Sequence, residues 1–349
     1  VVNCKNYGIV DAKGNYIAGI AYNVEKDALV ENCVNDTLIG TNAKKNYVSG
    51  IAVYNSGVIR NCVNKGMITG ATSVAGIVAS SNGGDSILYC HNEGEIISSG
   101  SNVGGILGGS KLSTTPMVMI GCYNTALVTG KGSIGGVAGQ LAAGSELIDC
   151  YNTADVVSSS SSSVGGVAGQ QGWRNGYVAR MIRCYNTGNV EAKVCGEIAG
   201  VVGNFKTGAN DTTAVVTIKR CYNTGNISAP FSVVGGIGGS LFDDAITIDS
   251  CYNTGDIKGL FMVGGIVATL KGPSNQVKNC WNSGSVTGAN RVGGLIGCDN
   301  GENRVYNSYN TGAVATNSQD ITDHSGRETS YSIGGLAGEG SSTYTNCYN

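Results

Sequence analysis

Proline is nearly absent from this chain, three residues in 349, which excludes a collagen-like or Pro-rich disordered segment. Histidine is rarer still, at two. No H-E-x-x-H and no C-x-x-C occurs, so the common zinc patterns are missing. Charged side chains make up 13%, against roughly 25% in ordinary domains. The 22 Lys and Arg nearly balance the 24 Asp and Glu, a distribution that draws neither nucleic acid nor an anionic membrane surface. No apolar run approaches the ~18 residues of a membrane-spanning helix. No stretch of ten or more keeps a helical stripe either.

What the chain has instead is glycine, 56 residues, and repetition. The unit Cys221-Tyr222-Asn223-Thr224-Gly225-Asn226-Ile227 recurs twelve times. Asparagine holds its third place throughout: Asn6, Asn35, Asn64, Asn92, Asn124, Asn152, Asn186, Asn223, Asn253, Asn282, Asn310 and Asn349. Val or Ile stands four residues after each of the first eleven, from Val10 to Val314. A second block, apolar–small–Gly–apolar, follows in every complete unit, as in Val164-Gly165-Gly166-Val167 and Val263-Gly264-Gly265-Ile266. A third landmark lies three residues before each Cys and is always apolar, for example Ile59, Leu147, Ile218 and Val277. Successive Cys places are 28 to 39 residues apart, with Ser308 filling one.

Short β-branched segments broken by Gly, Asn, Ser and Asp are strand-and-turn chemistry. Repetition at this period means that each unit packs on its neighbours. The expected fold is all-β: a parallel β-solenoid of about twelve coils, roughly 29 residues each, with two or three strands per coil. Residues 1–349 then form one continuous repeat region, and coils rising about 4.8 Å give a rod of ~55 Å. The two aliphatic columns around the Gly, the Val/Ile column and the column before the Cys should face inward. The Asn column, including Asn124, Asn152, Asn186, Asn223, Asn253 and Asn282, should form an amide ladder. The Gly between the aliphatics marks a close backbone approach or a tight corner. The Gly two residues after the Asn suggests a left-handed turn residue.

Thirteen cysteines invite a disulfide reading, but eleven hold one repeat place, among them Cys150, Cys184, Cys221 and Cys251. Stacked about 4.8 Å apart, they exceed the ~3.8 Å Cβ separation of a disulfide. They read as buried free thiols acting as small hydrophobes. Cys195 and Cys298 are off-register and have no assigned role.

Blocks such as Gly335-Leu336-Ala337-Gly338 and Gly136-Val137-Ala138-Gly139, paired with Cys-Tyr-Asn-Thr-Gly, resemble the GLUG-motif repeats of bacterial surface proteins. Such repeats also occur beside IgA-cleaving metallopeptidase domains. The resemblance spans essentially the whole chain and implies an extracellular, elongated stalk or adhesin region at the bacterial cell surface. It carries no catalytic residue over.

Tyr123, Tyr151, Tyr185, Tyr222, Tyr252, Trp281, Tyr309 and Tyr348 form an aromatic column between Cys and Asn. It should point outward if its neighbours point in, as inter-coil stacking or as a strip for sugars or a second rod. Insertions at one corner place Trp173, Arg174, Phe205 and Lys206 on adjacent coils, a candidate recognition surface. Thr125, Thr153, Thr187, Thr224, Thr254, Ser283 and Thr311 read as turn hydroxyls. Asp243, Asp244, Asp249 and Asp256 are the densest acidic group and the only hint of a polysaccharide-degrading enzyme. His324 lies in a further insertion, 317–331.

No catalytic residue, metal site or cofactor is expected. A structural stalk, adhesin or fibre segment ranks first. A carbohydrate- or protein-binding module is second, with a host or cell-wall glycan, a surface protein or another copy of the chain as partner. The chain reads as an uncapped window of a longer protein, with no membrane insertion in it.

Overall fold

The computed structural model describes residues 1–349 except 41–43, 111–114, 161–162, 173–176, 195, 207–214, 243–244 and 318–331. One coil shows why the chain winds. After Cys221, short strands run over Tyr222–Asn223, Ile227–Ser228, Val233–Gly235, Gly238–Phe242 and Ile246–Asp249. Bends of a few residues separate them, and none folds a strand back onto the one before it, so the chain turns each corner and climbs one level per circuit. Every strand pairs in parallel with its equivalents above and below, as Tyr222 does with Tyr185 and Tyr252. Four sheets of eleven strands and one of nine result. No helix occurs among the described residues.

The parallel β-solenoid is the fold that the repeats dictate, with two corrections. Each coil has five strands, not two or three, because the Gly block and the segment before the Cys are each resolved into separate sides. The rod makes about ten turns, not twelve. Twelve markers enclose only eleven intervals, and the outermost coils are incomplete in the nine-stranded sheet.

The interior is divided. One apolar core collects the Cys column, the residues before it such as Leu147 and Ile218, and the second aliphatic of each Gly block, such as Val137 and Ile266. The other stacks the Val/Ile column, such as Val156 and Ile227, on the first aliphatic of each block, such as Val164 and Val263. Full burial of each such side chain is worth roughly 1.5–3 kcal/mol, offset by backbone ordering of about 1–2 kcal/mol per residue.

Between the two cores runs the amide ladder. Each Asn Nδ2 donates to the Oδ1 of the next Asn at 2.6 to 2.9 Å, and all eleven links from Asn6 to Asn349 are present. The second amide proton goes to the carbonyl two residues on, as from Asn223 to Gly225 at 2.7 Å. Each amide also lies against the Gly of the preceding block: a Cβ on Gly200 would come under 3.0 Å from Asn223. The Gly column is the room in which the amides sit, which specifies the close approach expected there.

The left-handed position is elsewhere than expected. Gly66, Gly188, Gly225 and their equivalents have no positive φ. They are Gly because a Cβ would press on the coil below, as Gly225 would on the Gly188 carbonyl. Positive φ falls instead on the residue immediately before every Cys place, from Asn3 at 58° to Asn346 at 51°. Asn occupies this place six times (Asn3, Asn32, Asn61, Asn279, Asn307, Asn346), in keeping with its tolerance of that region. Tyr89, Asp149, Arg183 and Arg220 adopt it as well.

The cysteines among the described residues are free. Cys150 Sγ donates to the carbonyls of Ile148 and Met119 at 3.4 and 3.6 Å. Burial holds the Cys122, Cys150, Cys221 and Cys251 thiols above their ordinary range. The seryl hydroxyl of Ser308 takes the thiol's part by accepting from the Cys280 amide at 3.1 Å.

Candidate functional site

The aromatic column faces outward as expected, and His91 extends it. From His91 to Trp281 ring centroids follow at 4.6 to 4.9 Å with interplanar angles of 2° to 4°. The Trp281–Tyr309 step is wider, at 6.2 Å. Tyr185, Tyr222, Tyr252 and Trp281 are half-buried, because each ring covers its neighbour's face. Burial pushes the phenols of Tyr185, Tyr222 and Tyr252 up. Only ring edges remain exposed. A sugar stacks on an aromatic face, so this geometry serves inter-coil cohesion. The threonine column does what turn hydroxyls do: Thr125 Oγ1 donates to the Asn92 carbonyl of the coil below at 3.2 Å.

Of the four insertion-corner residues, only the Phe205 side chain is described, and it is not at the surface. Phe205, expected at the surface, is 2% exposed and belongs to the larger core. Its strand extends through Val202–Lys206, and Phe205 pairs with Gln171 and Leu241 at an inward place. Trp173 and Arg174 lie outside the described residues, as do Cys195, Asp243, Asp244 and His324, and the Lys206 side chain is not described either. Cys298 is fully buried beside Thr269 and Glu339 in register.

Asp249 and Asp256 do not form a pair. Asn279 and Ser250 donate to Asp249, and Lys219 stands 3.3 Å away. Asp256 accepts from the Ser285 amide and hydroxyl. These partners hold both carboxyls below the usual range, against the opposing pull of burial. Among the described residues no cluster suits a metal ion.

Asp85 is the opposite case. It is 2% exposed, with Asn55 Nδ2 and Ser81 Oγ each donating to it at 2.7 Å. Burial outweighs those bonds and pushes its carboxyl up to about 6. In the unfolded chain it titrates near 3.9. As pH rises from about 4 to about 6, the unfolded state gives up this proton first, and the fold loses about 3 kcal/mol across that window. The difference between wild-type and Asp85→Asn stability, from urea melts at stepped pH, should change over this interval and be flat above it. A flat difference curve throughout would refute the assignment.

A feature that the repeats did not announce lies on the Gly-block face. Two outward columns run side by side there. One consists of the residue just before each block, including Tyr16, Tyr47, Asn102, Ser133, Ser163, Glu197 and Met262. The other is the outward place of the next strand, in register through Tyr54, Ser80, Gly109, Gln140, Gln170 and Asn204. Four tyrosines cluster at the first coils: Tyr16 stacks on Tyr47 at 5.1 Å, and both lie within 6 Å of Tyr54, with Tyr22 edge-on. Burial and its phenol neighbours push Tyr54 up to about 12. Farther along, the columns enclose an open cleft of about 790 Å³ reaching from Ser101 to Met262. The position of Tyr16 and Tyr47 before consecutive blocks was the available sequence signal. No protein family, curated protein or solved structure matches the chain.

Proposed function

We propose that this chain is a stiff spacer, a segment of an extracellular bacterial stalk, adhesin or fibre whose product is length and not catalysis. The observation that supports it is the uninterrupted amide ladder from Asn6 to Asn349, flanked on both sides by apolar columns. Charge pairs between successive coils, Arg60–Glu31, Arg180–Glu146 and Arg183–Asp149, add to the joints between levels. The resemblance to surface-protein repeats is the ground for the extracellular assignment.

A spacer has adjustable length. Deleting Tyr123 through Cys221 joins Cys122 to Tyr222 and removes three coils without changing any ladder. The shortened chain should fold and scatter X-rays as a rod about 14 Å shorter, with coil-by-coil stability preserved. An unfolded product, or an unchanged maximum dimension, would sink the reading.

A further inference from the structure

We propose that the cleft on the Gly-block face binds a linear oligosaccharide, neutral or amino-bearing, lying along the rod axis with about one sugar ring per coil. The lining is polar at its centre, with Asn102, Ser133, Gln140, Ser163, Gln170 and Glu197 on four successive coils. Ser133 Oγ donates to Gln170 Oε1 and Ser163 Oγ to Glu197 Oε2, both at 3.1 Å, so neighbouring coils fix these groups in place. The side-chain amides of Asn102 and Gln140 have no hydrogen-bond partner among the described residues. Asn204, next after Gln170 in the same outward column, is only 8% exposed, and its Oδ1 has no partner among the described residues. Buried amide oxygens ordinarily have one. Amide groups with donors and acceptors to spare, beside seryl oxygens that can still accept, suit a ligand with hydroxyls on every unit.

The apolar surfaces are at the ends. Phe231, 57% exposed, stands with Phe261 and Met262 at the C-terminal end of the cleft. Tyr16, Tyr47 and Tyr54 continue the same two columns beyond the N-terminal end, and Tyr22, 61% exposed, packs edge-on against them from the neighbouring place. Polar groups in the middle and aromatic platforms beyond them give a glycan both hydrogen bonds and CH–ring contacts.

Spacing decides against a peptide. Groups along the cleft recur at the coil rise of about 4.8 Å, whereas an extended peptide advances about 3.3 Å per residue and presents one face every second residue. The two run out of step within a few coils, while a ring in an extended sugar chain advances by close to one coil step and carries hydroxyls on both edges, so hydrogen-bonding groups meet every coil even where alternate rings are inverted. A peptide has no strand edge to join here either, because each strand facing the cleft is already paired above and below. Glu197 is the single charged side chain lining the cleft among the described residues, which disfavours a polyanion.

The test is calorimetric titration of the purified chain with linear hexasaccharides of glucose, N-acetylglucosamine, glucosamine and galacturonic acid, and with a ten-residue serine peptide. At least one neutral or amino hexasaccharide should bind and the galacturonate should bind more weakly. Gln140→Ala with Gln170→Ala should weaken binding about tenfold or more, with the circular dichroism spectrum unchanged. Tyr222→Ala, on the stacked column, should bind as wild type does. Absence of binding by every neutral and amino hexasaccharide at millimolar concentration overturns the proposal, as does undiminished affinity in the Gln variants. Tighter binding of the serine peptide overturns it in favour of a protein partner. The spacer reading rests on the coil deletion and is untouched by any of these results.

Discussion

Asn223→Ala is expected to cost about 3–6 kcal/mol and to split the rod into two halves that melt separately. The amide at 223 is fully buried. It accepts from Asn186 at 2.8 Å and donates to Asn253 and to the Gly225 carbonyl, both at 2.7 Å. Truncation leaves one donor and two acceptors without partners, each worth about 1–3 kcal/mol when buried, and opens a void against Gly200. The loss falls on one interface between coils, so cooperative melting should give way to two transitions. Asn223→Asp separates hydrogen bonding from packing. It has the same shape, but its carboxylate confronts the Asn253 and Gly225 oxygens with no proton to offer. At neutral pH it should be at least as damaging as alanine, and acid should restore part of the loss by returning one donor. Hydrogen exchange would place the damage at the coils on either side of residue 223. A pH-independent loss below about 1 kcal/mol in the Asp variant would show that the ladder contributes little.

The ladders were legible because inward places tolerate few residues: an amide that must meet an amide leaves Asn at all twelve copies, and a slot beside it leaves Gly at eleven. The left-handed place before the Cys escaped notice for the converse reason. Its side chain points to solvent, so Asn, Tyr, Arg, Asp, Ser and Gly all occur there, and only the backbone angle is shared. Phe205 was misplaced because an insertion blurs the count along a strand, and an error of one residue moves a side chain from the surface to the core. The cleft lies on outward columns that no packing constraint holds constant. Residues there vary from Tyr to Ser to Gln to Met, so a search for repetition passes over them. On a solenoid the invariant columns specify the rod, and the varying outward ones are where specificity can reside.

Gly200→Ala should cost about 2–4 kcal/mol, although alanine is ordinarily the better residue where φ is negative. Gly200 has no positive φ, so the backbone permits the change and the unfolded-state entropy term favours it by about 0.4–1 kcal/mol. The loss is therefore steric. A Cβ there falls under 3.0 Å from both the Asn223 amide and the Gly236 carbonyl, and neither can retreat without breaking a ladder. Two other glycines calibrate the result. Gly225 would press its Cβ on the Gly188 carbonyl, backbone that must shift to admit it, but Ala126 and Ala154 hold the same place two coils or more away, so this turn has a shape that accepts a methyl and Gly225→Ala should cost about 1–3 kcal/mol. Gly8 has nothing within 4 Å of a Cβ, and Gly8→Ala should be neutral or slightly stabilising. Urea melts of the three variants would rank them. Because Gly200 and Asn223 touch, Gly200→Ala combined with Asn223→Ala should cost less than the two losses added. Equal costs at all three glycines, or strict additivity in the double variant, would mean that the Gly column provides backbone freedom and not the space in which the amide ladder stands.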